Sequence, residues 1–399
     1  MKLRLIFVSL LTILIFQNDL ANAADIEWEP SIYPENQLFP SMLISTATIQ
    51  LPEEAFSTWD GNHLGDTQGC IGVTAENVPK GAKVELVVKA NGYLNASTFT
   101  GKVEDGEGTL TVHPKIRYFY DALGKVKQAV PLDITMELKV DGVSLGEKTQ
   151  TVTLRPVNDC LFSVEEAAEE DDATTNSDYT WLFAAYVNED HPWVDKILKS
   201  ALDLEVVDSF SGMQSEDTDE ELKQIFAIWC VLRNRGLKYS DITTNSRESE
   251  TVFSQTVRFL DESIRSTQAN CVDGSVLLAS ILRKIGLKPS LILVPGHMYL
   301  SIELDNDITI GLETTMLGNK DDSEADFSNF PESELEAPEG FEDSWDNFKA
   351  AVSAATGDLQ ENQGNFKDSD AEDFDPNYQI IDISAARSLG ILPIARTGK

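Results

Sequence analysis

The sequence predicts a two-domain chain, an all-β sandwich followed by an α+β domain, and three observations lead there. At 399 residues with 42% hydrophobic content, the chain exceeds one ordinary domain and can fill two cores. From about Ser41 to Val157 it reads as short alternating runs separated by Gly, Asn, Asp and Pro, the pattern of an antiparallel sandwich. Beyond Tyr179 helical periodicity comes first and strand-like runs follow, the order of an α+β domain.

Taken from the start, Lys2 and Arg4 precede the apolar run Leu5 to Phe16, and Ala21-Asn22-Ala23 has the small-x-small form of a secretory cleavage site. Residues 1–23 are therefore expected as a signal peptide, and the protein as exported, periplasmic or secreted. No later stretch approaches the ~20 apolar residues of a membrane span. Residues 24–160 are expected as the sandwich. Its clearest strands are Val84 to Val88 and Leu132 to Val140, the latter placing Leu132, Ile134, Met136, Leu138 and Val140 on one face. Asp141-Gly142 then signals a two-residue hairpin, with a returning strand from Val143. No Trp lies between Cys70 and Cys160, so the antibody-type Cys, Trp, Cys arrangement is missing and the domain is immunoglobulin-like in architecture only. In an oxidising compartment Cys70 and Cys160 form a candidate disulfide, while Cys230, inside Ile225 to Leu232, reads as a buried thiol.

Residues 161–178, acidic and rich in small side chains, read as an interdomain linker, and residues 179–399 as the second domain. Asp217 to Arg235 is its firmest helix: acidic residues fill the first turn, Leu222, Ile225, Phe226, Trp229 and Leu232 form one stripe, and Gly236 follows as a stop. A second helix is expected from Cys271 to Ile285, ending at Gly286. Strands follow at Ser290 to Val294, Met298 to Leu304 and Ile308 to Glu313, with a returning strand at Tyr378 to Ile383. Residues 319–377 are very acidic and are expected as a long loop or disordered insertion, with a short helix at Trp345 to Ala355. Within it Asp368 to Asp373 begins like a calcium loop but lacks the Gly and Glu that an EF-hand needs at its sixth and twelfth positions.

The formal charge of -36 disfavours nucleic acid and anionic membranes as partners, because phosphate binding needs clustered Lys and Arg. Chemistry is concentrated elsewhere. Asn270 to Gly274 stands at a helix start, so the Cys271 sulfur lies in the first turn, where exposed N–H groups and the positive helix end favour a thiolate nucleophile. Asn270 serves as the N-cap and Asp273 closes a capping box. Among the four histidines, His63 and His113 fall in the sandwich and His191 at a helix start, all with ordinary structural explanations. His297 opens a strand after Gly296. If Asp305 to Asp307 is a three-residue turn, Leu304 pairs with Ile308, Tyr299 stands opposite Glu313, and His297 lies diagonal to Glu313 on the same face, about 7 Å away. Asp305 and Asp307 compete as the carboxylate but sit in the turn. Cys271, His297 and Glu313 thus form a candidate catalytic triad, a nucleophile with its base and the acid that orients it. The Cys271 backbone N–H is the default oxyanion donor, with Gln268 and Gln255 as side-chain candidates.

The runs Gln268 to Ser275 and Leu282 to Leu287, the step Pro295-Gly296-His297, Leu312 to Thr315, and the helix end Arg235 to Ser240 resemble the bacterial transglutaminase-like superfamily. The resemblance covers roughly Tyr179 to Gly318. It implies a papain-like core in which a Cys at a helix N-terminus meets a His and an acid from adjacent strands. It also implies a cysteine peptidase, amidase or acyltransferase acting on a peptide or protein substrate, with no cofactor and no metal. Glu313 stands where that family more often has Asp, and calcium sites of the animal transglutaminase kind are not seen, which favours hydrolysis over crosslinking. The alternative is a catalytically idle envelope binding or scaffold protein that keeps the fold.

Overall fold

Strands β1 (Glu27–Ile32) and β2 (Gln37–Leu38), helix α1 (Pro40–Ser45) and strands β3 (His63–Gly65) to β7 (Leu110–His113) open the chain; between the last two run β4 (Ile71–Glu76), β5 (Lys83–Ala90) and β6 (Leu94–Lys102). β8 (Arg117–Tyr118), α2 (Tyr120–Leu123), β9 (Val130–Val140) and β10 (Val143–Leu154) follow. This computed structural model describes residues 25–49, 62–104, 108–167, 174–215, 217–241, 249–318, 326–367, 371 and 374–394. The expected signal peptide lies outside the described residues, as does the Asp368 to Asp373 run apart from Ala371. The chain is a mixed α and β protein that divides into two compact units, residues 1–44 with 50–157 and residues 45–49 with 158–399.

The first unit has two sheets, ordered β1-β4-β7-β3 and β2-β10-β9-β5-β6-β8, and one core receives side chains from both. Alternation dictates which: on β9, Leu132, Ile134, Met136, Leu138 and Val140 are all buried while the residues between them are not. Asp141 and Gly142 both adopt positive φ, 49° and 83°, as a two-residue hairpin of this twist requires.

The second unit begins with β11 (Asp159–Ala167) and β12 (Thr174–Asp178), where a linker was expected. β12 pairs antiparallel with β11, Ser163 opposite Asp178, and β11 pairs on its other edge with β14 (Val252–Thr256). Leu161 and Val164 supply the buried face, and the partner strand comes from about 90 residues downstream, a pairing that local composition does not encode. The expected bridge is corrected as well. Cys70 is a free thiol 3.6 Å from the Tyr118 hydroxyl, and Cys160 is a free thiol on β11, in the other unit.

Next come α3 (Pro192–Leu202), α4 (Thr218–Asn234), β13 (Lys238–Tyr239), β14, α5 (Leu260–Ser266), β15 (Gln268–Ala269) and α6 (Cys271–Lys284). Then β16 (Lys288–Val294), β17 (His297–Glu303), β18 (Thr309–Leu312), α7 (Glu342–Glu361), β19 (Gln379–Asp382) and α8 (Ile383–Ser388) complete the chain. The main sheet is antiparallel, ordered β18-β17-β16-β19, and α6 packs on β16 and β17. Asp217 caps α4 by accepting from the Asp219 and Glu220 N–H groups, and Gly236 ends it at φ 77°. Cys230 is buried in α4, and burial pushes its thiol up to about 12.

The acidic stretch, expected as a loop with a short helix at Trp345 to Ala355, carries a helix there that is longer than expected, α7, of 20 residues. Its buried Trp345, Phe348, Ala351 and Val352 explain why it folds: Trp345 meets Phe226 edge-on at 4.9 Å between ring centroids, and Phe348 lies 6.0 Å from Trp229. Gly311 on β18 allows this packing, since a Cβ there would lie 2.3 Å from the Ala355 carbonyl carbon. The net acidity of the segment concealed the length of the helix and the extent of its periodic apolar face.

Candidate active site

Cys271 is the first residue of α6, and its position follows from the capping chemistry around it. Asn270 Oδ1 accepts from the Asp273 N–H at 2.8 Å, and Asp273 Oδ2 accepts from the Asn270 N–H at 3.1 Å, a reciprocal capping box. Asp273 is fully buried and is held from a second side by Arg258, whose backbone N–H donates to Oδ1 at 2.7 Å and whose Nη1 donates to Oδ2 at 2.8 Å. Burial still raises the Asp273 carboxyl above its usual range, against those bonds. These contacts fix the helix start to within one residue. Cys271 itself is only partly buried, whereas Cys70, Cys160 and Cys230 are enclosed.

His297 enters from the neighbouring strand. Gly296, at φ 74°, turns the chain into β17, and His297 pairs with Val294 across to β16. On the other edge Leu300 stands opposite Leu312, Ser301 opposite Gly311 and Ile302 opposite Ile310, and the Leu304 N–H donates to the Ile308 carbonyl at 2.8 Å. This is the register of the three-residue turn, with Asn306 and Asp307 at positive φ, and it carries Glu313 to the place facing Tyr299. Glu313 then leaves the sheet. Its N–H donates to the Ala351 carbonyl of α7 at 3.0 Å, and its carboxylate caps the 3₁₀ turn Thr314–Met316.

The two side chains meet directly: His297 Nε2 lies 2.7 Å from Glu313 Oε2. Glu313 Oε1 is occupied by the Thr315 N–H at 2.9 Å and the Thr315 hydroxyl at 2.6 Å, so both carboxylate oxygens are engaged and the arm cannot swing freely. With Nε2 committed, Nδ1 is the ring nitrogen left for Cys271. Hydrogen bonding to Cys271 and then to Glu313 raises His297 from 6.5 to about 10, against partial burial, which favours the protonated ring at neutral pH. For Glu313, burial pushes the carboxyl up, but the His297 bond and charge and the two Thr315 bonds together bring it below its ordinary value.

Of the residues that the sequence named, His297 and Glu313 meet directly beside Cys271, and Gln268 and Gln255 make no hydrogen bond to that group among the described residues. Gln268 is exposed on β15, where it pairs with Lys238, and Gln255 stands opposite Cys160 on β14. Neither makes a side-chain hydrogen bond to Cys271 among the described residues. The neighbour that was missed is Tyr239. It lies on β13, opposite Ala269 in the parallel pair that leads into Cys271, and keeps 44% of its surface exposed. Desolvation first, then the charges of Asp241, Cys271 and Glu313, raise its phenol, so the charges of the triad act on it. The only sequence signal for it was the helix-end segment Arg235 to Ser240. Tyr299, ring centroid 6.1 Å from that of His297, backs the imidazole, and burial followed by nearby Asp358 raises its phenol.

This arrangement can hold a proton between a thiol and a leaving group. The Cys271 backbone N–H at the helix start is the donor that this end of α6 offers to a developing oxyanion. Among the described residues no group of three or more His, Cys, Asp and Glu could hold a metal ion, and no helix is long and apolar enough to cross a membrane. Comparison with protein-family models and with curated proteins finds no match for this chain.

Proposed function

We propose that the chain is an exported cysteine enzyme of transglutaminase-like type, a peptidase, amidase or acyltransferase that cleaves or transfers amide bonds of a peptide or protein. The proposal includes an immunoglobulin-like sandwich for the first unit and a papain-like core for the second. One observation carries it: a carboxylate with both oxygens engaged holds the His297 imidazole at 2.7 Å, and interaction with Cys271 at a helix N-terminus raises that imidazole further.

In this reading Cys271 Sγ attacks the substrate carbonyl carbon, its proton residing on His297. The tetrahedral oxyanion is met by the Cys271 N–H. His297 delivers the proton to the leaving amine as the C–N bond breaks, leaving a thioester on Cys271. Water, deprotonated by His297, then cleaves the thioester and returns the thiol and a carboxylic acid; an amine in place of water gives transfer. Glu313 orients the ring and stabilises its charge throughout.

The test is to incubate the protein with a proteome-derived peptide mixture and follow cleaved or transferred products by mass spectrometry, with hydroxylamine added to release any acyl group from Cys271. Products that disappear in Cys271→Ala, with a hydroxylamine-labile adduct on Cys271, are expected. Undiminished turnover by Cys271→Ala would end the reading.

A further inference from the structure

We infer that Ser275 and Thr314 are positioning residues that hold Cys271, His297 and Glu313 in one register; the inference rests on the triad reading above. Ser275 is fully buried one turn after Cys271. Its hydroxyl donates to the Cys271 carbonyl at 2.7 Å, has the carbonyl of Met298 as a second acceptor at 3.5 Å, and lies 3.5 Å from Thr314 Oγ1. Thr314 Oγ1 in turn reaches the Cys271 carbonyl at 3.4 Å. Met298 follows His297 and Thr314 follows Glu313, so one hydroxyl touches Cys271 and the chain neighbour of each other triad member.

A serine that bonds the carbonyl four residues back is common in helices and by itself implies nothing about function. Ser280 in the same helix supplies the comparison. It is equally buried, donates to the Val276 carbonyl at 2.6 Å and accepts from the Asn188 N–H at 2.9 Å, and none of these groups belongs to the triad or flanks it. What sets Ser275 apart is its pair of long-range contacts, on two different elements. The Cys271 carbonyl, with Ser275 and Thr314 both directed at it, ties the start of α6 to the turn that presents Glu313.

The experiment measures the second-order rate of Cys271 alkylation at pH 7 by peptide mass spectrometry, with urea midpoints, for Ser275→Ala, Thr314→Val, Thr314→Ser, Ser280→Ala and His297→Ala in the full chain. Displacement by a fraction of an ångström is expected to slow labelling about tenfold in Ser275→Ala and Thr314→Val. Thr314→Ser keeps the hydroxyl and is expected to label like the wild type, and Ser280→Ala to lose stability without losing rate. Combining Ser275→Ala with Thr314→Val should lose less than the product of the two single losses. Should Ser275→Ala not fold, the Thr314→Val and Thr314→Ser pair decides. Labelling slowed by His297→Ala but not by Thr314→Val or Ser275→Ala overturns this inference alone; labelling that His297→Ala leaves unchanged overturns it together with the triad.

Discussion

Gly274 is the residue whose replacement tests the packing of the site most sharply, because two calculable effects oppose each other there. It lies in the first turn of α6, three residues after Cys271, and an alanine Cβ at that position would sit 2.7 Å from Thr314 Oγ1 and 3.0 Å from Thr314 Cβ. Restoring ordinary carbon contact distances requires the helix and the turn to separate by roughly 0.5–1 Å. In an open helix Gly→Ala would stabilise by about 1 kcal/mol. Overpacking a buried contact costs about 1–3 kcal/mol, so the net expectation is a loss of roughly 0–2 kcal/mol. Reactivity should suffer more: a shift of this size between reacting groups reduces rate by about 10- to 100-fold. Urea unfolding of Gly274→Ala gives the first quantity, and Cys271 alkylation in the folded protein, normalised to the denatured protein, gives the second. A variant about 1 kcal/mol more stable than the wild type, with unchanged labelling, would refute the close approach of α6 to the Glu313 turn.

Two further expectations concern pH and the core. His297 is raised from 6.5 to about 10, so the stability it contributes is complete below pH 6.5 and is lost as pH rises through about 10; the lowered Glu313 contributes above its unfolded value and loses that contribution in acid. The difference in melting temperature between wild type and His297→Ala should therefore be largest near pH 5–6.5 and shrink toward pH 10, and a difference independent of pH would contradict the pairing. Phe348→Ala, which empties a fully buried site on α7, should cost about 3–5 kcal/mol in urea unfolding. A loss below about 1 kcal/mol would mean that α7 is not part of the core.

What could be read from the sequence was local. The capping box of Asn270 and Asp273, the stop at Gly286 and the three-residue turn at Asp305 to Asp307 each depend on a few adjacent residues, and together they define the position of Cys271 and the face shared by His297 and Glu313. What escaped reading was non-local. β11 became a strand because β14 pairs with it, and α7 became core because Phe226 and Trp229 lie under its apolar face. At β11 strong acidity marked the solvent side and hid the buried one, while for α7 a helix was expected at Trp345 to Ala355 but not its full length or its place in the core. The Glu313 arm illustrates the same limit: its register followed from counting, but its second anchor, Thr315, appears only once the chain leaves the sheet and turns. For the expected donors Gln268 and Gln255 the fold gives positions on β15 and β14, and proximity in sequence to Cys271 or to a strand says nothing about where an amide side chain points.

The most direct measurement is the pH dependence of Cys271 alkylation in the folded protein, compared with His297→Ala and Glu313→Gln. The three enclosed cysteines provide an internal reference in the same spectra. If the imidazolium and its carboxylate activate the sulfur, Cys271 labels rapidly at neutral pH and both variants slow it by at least about tenfold. Slow labelling that neither variant changes would contradict the triad and leave a thiol that only happens to stand at the start of a helix.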